Sequence, residues 1–136
     1  MENIFDEFMG KLFEEVKKYK VGNPQEKDTK IGPLARFDLF LKLKEQTLRS
    51  IKEGAKLMNS SIGEIDCNYE IGNGNYFNPV FLTDIPKNST AYKEEFFGPV
   101  FNIFKVKTRE EAINLANDTQ FGLGASIFSK DVKSGT

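Results

Sequence analysis

The residues of this 136-residue chain best placed for chemistry lie together at Lys93-Glu94-Glu95-Phe96-Phe97-Gly98-Pro99-Val100. Two acids stand directly against two aromatics and a rigid Gly-Pro break, a poor start for a plain strand. A loop whose aromatics reach into a core while its acids stay solvated would account for the pattern without any function. Other candidates carry less. Gly72-Asn73-Gly74 misses the third glycine of a dinucleotide fingerprint and precedes a strand-like run, so it reads as an ordinary turn. Cys67 lies between Asp66 and Asn68; a neighbouring carboxylate disfavours its thiolate, and it reads as a bystander. The chain has no histidine, so neither a Ser-His-Asp nor a Cys-His arrangement can be assembled within it. One cysteine without histidine also argues against a zinc site. Chemistry here must use carboxylates, backbone groups, lysines or something borrowed.

Composition narrows the partners. Nineteen basic residues against 20 acidic ones leave a net charge of −1, with no electrostatic handle for nucleic acid. No apolar run is long enough to span a membrane, and the acidic start Met1-Glu2-Asn3-Ile4-Phe5-Asp6-Glu7 is unlike a signal peptide. A lone cysteine fits a reducing cytoplasm. The Asn-x-Ser/Thr matches at Asn59, Asn88 and Asn117 then read as chance.

The elements that must hold these residues alternate between helix and strand. Ile4, Phe8, Leu12 and Val16 form one helical row, with Phe5, Met9 and Phe13 in the row beside it. Gly22-Asn23-Pro24 is expected to stop that helix, and Gln25 to Lys30 reads as an exposed loop. A second helix is expected over about Leu34 to Glu53, with a core stripe of Phe37, Leu41, Leu48, Ile51 and Ala55 and with Gly54 as its C-terminal cap. Strand composition covers Ala55–Met58, Tyr76–Leu82, Phe96–Val106 after its Gly-Pro break, and Ala125–Phe128. Loops or a weak hairpin are read over 59–75, and a loop over 83–90. Thr108-Arg109-Glu110-Glu111 is a capping box opening a third helix with Ala112, Ile113, Leu115 and Ala116. The order argues an α/β fold with a mostly parallel sheet and flanking helices.

Glu94-Glu95-Phe96-Phe97-Gly98-Pro99-Val100 resembles the Glu-Glu-x-Phe-Gly-Pro-Val motif of the aldehyde dehydrogenase superfamily. Val21-Gly22-Asn23-Pro24, Ile31-Gly32-Pro33, Glu53-Gly54-Ala55-Lys56-Leu57, Tyr76-Phe77-Asn78-Pro79-Val80-Phe81 and Leu115-Ala116-Asn117-Asp118-Thr119-Gln120-Phe121-Gly122-Leu123 are similar to its surroundings, in order and spacing. Gly32-Pro33-Leu34-Ala35-Arg36-Phe37-Asp38-Leu39 looks most like the bacterial succinate-semialdehyde dehydrogenases. The resemblance runs from about Ile4 to Asp131.

The resemblance implies an NAD- or NADP-dependent oxidation of a small aldehyde, such as succinate semialdehyde, to a carboxylic acid. In the family a cysteine attacks the aldehyde, hydride passes to the cofactor, and water hydrolyses the thioester. It implies that Glu95 bonds the hydroxyls of the nicotinamide ribose and that Phe97 packs near the nicotinamide. Two carboxylate oxygens suit two vicinal hydroxyls, and an aromatic face limits where the ring swings. The family's Gly-Gln-x-Cys and Glu-Leu-Gly-Gly segments, and its Rossmann-like cofactor domain, belong upstream of Asn3. Residues 1–136 are therefore expected to be one piece of a catalytic domain, downstream of the nucleophile, with no catalytic residue of its own and inactive alone. Expected partners are aldehyde dehydrogenase subunits, on which the chain would complete a split enzyme or dock without catalysis, or further copies of itself.

Overall fold

The computed structural model describes residues 1–58 and 74–131. Cys67, the turn glycine Gly72 with Asn73, and most of the loop read over 59–75 lie outside the described residues.

Helix α1 spans Phe5–Val16. Of its two apolar rows, the one holding Phe5 and Met9 turns inward, joined by Val16, while Ile4 and Phe8 stay about half exposed. Phe13 meets Phe81 edge-on at 5.0 Å. The helix ends at Val16, six residues before Gly22, where i→i+3 bonds such as Tyr19 N–H to the Val16 carbonyl (2.9 Å) tighten its last turn. The chain then enters β1 (Lys20–Val21), which pairs in parallel with β2 (Thr29–Ile31). The stretch read as a free loop is thus partly a strand. Asn23 Oδ1 accepts from Gln25 N–H (3.0 Å) to turn the chain, and the Lys20 ammonium bridges Glu26 (2.5 Å) and Asp28 (3.1 Å).

Helix α2 runs Phe37–Lys52. It starts three residues later than Leu34 because Leu34 is already engaged: its N–H donates to the Asn75 carbonyl (2.9 Å), and its carbonyl accepts from Asn75 Nδ2 (3.2 Å). At the other end Gly54 adopts φ 111°, and the amides of Gly54 and Ala55 bond the carbonyls of Ile51 and Ser50 at 3.0 Å each. This is the Schellman closure that glycine permits, and the expected cap holds. The expected core stripe holds only at its C-terminal end, where Ala55 is buried and Ile51 packs partly buried against the core. Phe37, Leu41 and Leu48 remain nearly half exposed, while Phe40, Leu43, Gln46, Thr47 and Ser50 are buried. The polar members of that face satisfy themselves within the helix, Thr47 Oγ1 donating to the Leu43 carbonyl and Ser50 Oγ to that of Gln46, both at 2.7 Å.

Phe40 and Leu43 pack against Phe77, Val80, Leu82 and Ala91. Val80 and Leu82 belong to β4 (Val80–Thr83), the central strand of the three-stranded sheet. It pairs antiparallel with β3 (Lys56–Leu57) and parallel with β5 (Val100–Asn102). All four β4 residues are buried, as a strand covered on both faces requires. Val80 and Leu82 face α2, whereas Phe81 points to the opposite side, between Phe13 of α1 and a stacked Phe101 (4.8 Å). The arrangement is α/β, with two of the three strand pairs among the described residues parallel.

Two readings at the end of the chain are corrected. Thr108 Oγ1 does cap α4 (Arg109–Asn117), accepting from Glu111 N–H at 3.1 Å, but the return bond to the Glu111 carboxylate comes from Lys107 N–H (2.7 Å), one residue early. Within α4 only Ala112 and Leu115 are half-buried; Ile113 and Ala116 face out. Ala125–Phe128 forms no strand, because no described segment lies alongside to complete a ladder, and Phe128 is left almost wholly exposed. A short helix, α3 (Thr90–Lys93), follows the loop read over 83–90 and leads into the acids.

The turn leading into β5 passes close against α2 at Gly98. Gly98 itself is exposed, but a Cβ there would stand 2.3 Å from Cδ2 of the buried Leu43. Gly98→Ala is expected to destabilise the chain by about 1–3 kcal/mol through overpacking. Leu43→Ala alone should cost about 2–5 kcal/mol. In the double variant the two losses should fall short of their sum by about 0.5 kcal/mol or more, measured by urea denaturation. Strict additivity would show that the two side chains do not compete for this space.

Candidate cofactor-binding site

The acidic motif is held from its N-terminal side. Ser89 Oγ donates to the Pro86 carbonyl (2.7 Å), and the amide of Thr90, first residue of α3, donates to Glu53 Oε2 (2.6 Å). That amide lowers the Glu53 carboxyl below its ordinary range, despite partial desolvation. After Lys93 the backbone leaves the helix: Glu94 is extended, at φ −106° and ψ 150°. Successive side chains on extended backbone leave on opposite sides, which matters for a pair of adjacent glutamates.

The two glutamates have different surroundings. Glu94 reaches back to α2, where Oε2 accepts from Gln46 Nε2 (2.8 Å) and Oε1 from Arg49 Nη2 (3.0 Å). Glu95 is exposed, and its carboxylate has no hydrogen bond or ion pair among the described residues; only its carbonyl is used, accepting from Gln46 Nε2 at 3.3 Å. Glu95 lines an open groove of about 590 Å³ together with a wall that includes Ala116, Asn117, Thr119, Phe121, Leu123 and Ala125. That wall follows α4 and is tied to α3 by Tyr92, whose hydroxyl donates to Asp118 Oδ2 at 2.6 Å. The bond to the aspartate raises the Tyr92 phenol above its usual value, desolvation adding to it.

The aromatics also divide. Phe96 packs, half-buried, against the α2–β4 core. Phe97 is 66% exposed. It sits at the apex of a tight turn, Gly98 N–H donating to the Phe96 carbonyl (3.1 Å), and a second such turn follows over Pro99, Val100 N–H donating to the Gly98 carbonyl (2.8 Å). Bonds from i to i+2 define these turns, and proline's fixed φ suits the second. The purely structural reading of the motif therefore describes Phe96 but neither Phe97 nor Glu94.

Glu95 and Phe97 are thus presented from one short, rigid segment, though Phe97 does not line the groove that Glu95 faces. Among the described residues no cluster of side chains could hold a metal ion, and no helix is long and apolar enough to cross a membrane. Sequence reasoning missed Gln46, Arg49 and the Tyr92–Asp118 link. The signal was local only in part: Gln46 is a polar residue on the buried face of an amphipathic helix, whereas Arg49, one turn on, is exposed at its edge.

The aldehyde dehydrogenase family model matches residues 1–136. The chain is 38% identical over 130 residues to the NAD(P)+ succinate semialdehyde dehydrogenase of Escherichia coli K12, covering 96% of this chain and 27% of that enzyme. It is 40% identical over 129 residues to a probable NADP+ succinate-semialdehyde dehydrogenase of Synechocystis, with 93% and 27% covered. The fold superposes on Staphylococcus aureus betaine aldehyde dehydrogenase, solved with NAD+, at a TM-score of 0.86 and 31% identity, covering 99% of this chain and 26% of that one. The chain spans about a quarter of the length of the curated relatives it matches. With its motif, its fold and its whole length in agreement, the chain belongs to the aldehyde dehydrogenase family.

Proposed function

We propose that this chain supplies the nicotinamide-side wall of an NAD- or NADP-dependent aldehyde dehydrogenase acting on a small semialdehyde, succinate semialdehyde being the substrate named for two similar enzymes. The observation that carries this reading is the asymmetry of the glutamates: Glu94 is spent on Gln46 and Arg49, and Glu95 keeps both carboxylate oxygens for a ligand. A vicinal diol offers two donors, and a carboxylate accepts both, so the nicotinamide ribose suits the group on offer. When bound, the cofactor takes up the hydride. Glu95 orients the ribose, and Phe97, exposed on its turn, restricts the swing of the ring. Gly98-Pro99 keeps both side chains at fixed spacing.

In this reading residues 1–136 are one piece of the catalytic domain, and the thiol and general base come from other protein. The sole cysteine, Cys67, has no histidine to activate it. The purified chain is accordingly expected to produce no NAD(P)H from succinate semialdehyde. Production that disappears in Cys67→Ser would overturn this assignment.

The role of Glu95 can be tested with the remaining three quarters restored from the Escherichia coli relative. With this chain joined behind them, Glu95→Gln weakens charge-assisted bonds worth about 1.5–3 kcal/mol each. Turnover should fall by at least about tenfold, and Glu94→Gln should matter less. A more damaging Glu94→Gln, or an untouched Glu95→Gln, would remove Glu95 from this role.

A further inference from the structure

We propose that Gln46 and Arg49 are positioning residues that decide which of the two adjacent glutamates is presented to the ligand; the ligand's identity rests on the reading of Glu95 above. Gln46 is only 3% exposed, and its side-chain amide nitrogen spends both of its N–H donors on the motif, one on Glu94 Oε2 and one on the Glu95 carbonyl. Arg49 bridges two elements at once, Nε donating to Thr90 Oγ1 (2.9 Å) and Nη2 to Glu94 Oε1 (3.0 Å). Each Glu94 oxygen is therefore held by a different α2 residue, and the carbonyl of the next residue is held as well.

The consequence is geometric and electrostatic. With Glu94 fixed toward α2 on extended backbone, Glu95 must leave on the other side, toward the groove. The Arg49 guanidinium also offsets the charge of Glu94, so one carboxylate rather than two faces the ligand. Without the clamp the two neighbouring acids could exchange places by rotating about the same stretch of backbone. A polar clamp of this kind, buried at Gln46 and half-exposed at Arg49, defines one arrangement where an apolar contact would tolerate several.

The test uses the full 136-residue chain without cofactor, so its outcome is independent of whether Glu95 binds ribose. Side-chain coupling constants measured by NMR report the χ1 rotamers of Glu94 and Glu95, and hydrogen exchange reports the amides of Glu94 and Gly98. In Gln46→Leu and Arg49→Met, both glutamates should average between rotamers, and the two amides should exchange about tenfold faster or more, with β4 amides unchanged. Arg49→Lys, which keeps the charge but cannot span Thr90 and Glu94 together, should fail to restore order. Exchanging the partners, Gln46→Glu with Glu94→Gln, re-forms an amide–carboxylate pair and should recover a single rotamer at position 94 that neither single change retains. Wild-type rotamers and exchange in both Gln46→Leu and Arg49→Met would overturn the proposal. So would loss of protection spread evenly through the chain, which would make Gln46 and Arg49 ordinary packing residues.

Discussion

Leu43 and Gln46 lie one turn apart on α2, and both are almost completely withdrawn from water. Their partners differ. Leu43 is driven into the apolar layer over β4, where it lies so close to the motif that position 98 has no room for a side chain. Gln46 continues the same face into polar territory and must find acceptors there, because a buried amide left unpaired costs about 1–3 kcal/mol. The acceptors it finds are Glu94 and the Glu95 carbonyl. The hydrophobic seat of α2 thereby fixes the height and angle at which its polar end grips the motif. The placement of Glu95 follows from that packing.

The same helix shows how far the sequence could be read. Its existence and its glycine cap were plain from periodicity and from Gly54. Its buried face was not, because Phe37, Leu41 and Leu48 form the more apolar stripe and yet stay half exposed. Thr47 and Ser50 can go inside because each hydroxyl bonds a carbonyl one turn back, an internal satisfaction that a count of apolar residues does not register. The strand read at Ala125–Phe128 failed for a different reason. A strand is a property of a pair, and no described segment pairs with it. At β1 and β2 the elements are only two and three residues long, too short for alternation to show.

The site was legible in part. The motif marked Glu95 and Phe97 through family resemblance, but nothing local distinguishes one glutamate of an adjacent pair from the other. What separates them is 45 to 48 residues away in the chain, in the side chains of Arg49 and Gln46. Tyr92 and Asp118, which tie the opposite wall of the groove to α3, are likewise 26 residues apart. Contacts of that separation are set by the fold, so they emerge only once α2 and α4 are seated on the sheet.

The central claim is that packing of α2 leaves Glu95, and not Glu94, for the nicotinamide ribose. The most direct measurement is a crystal structure of the chain joined to the other three quarters of the Escherichia coli relative, with NAD+ bound. The account predicts both Glu95 carboxylate oxygens within hydrogen-bond distance of the two ribose hydroxyls, with Glu94 still on Gln46 and Arg49. A ribose held by Glu94, or a Glu95 carboxylate turned away from the bound cofactor, would contradict it.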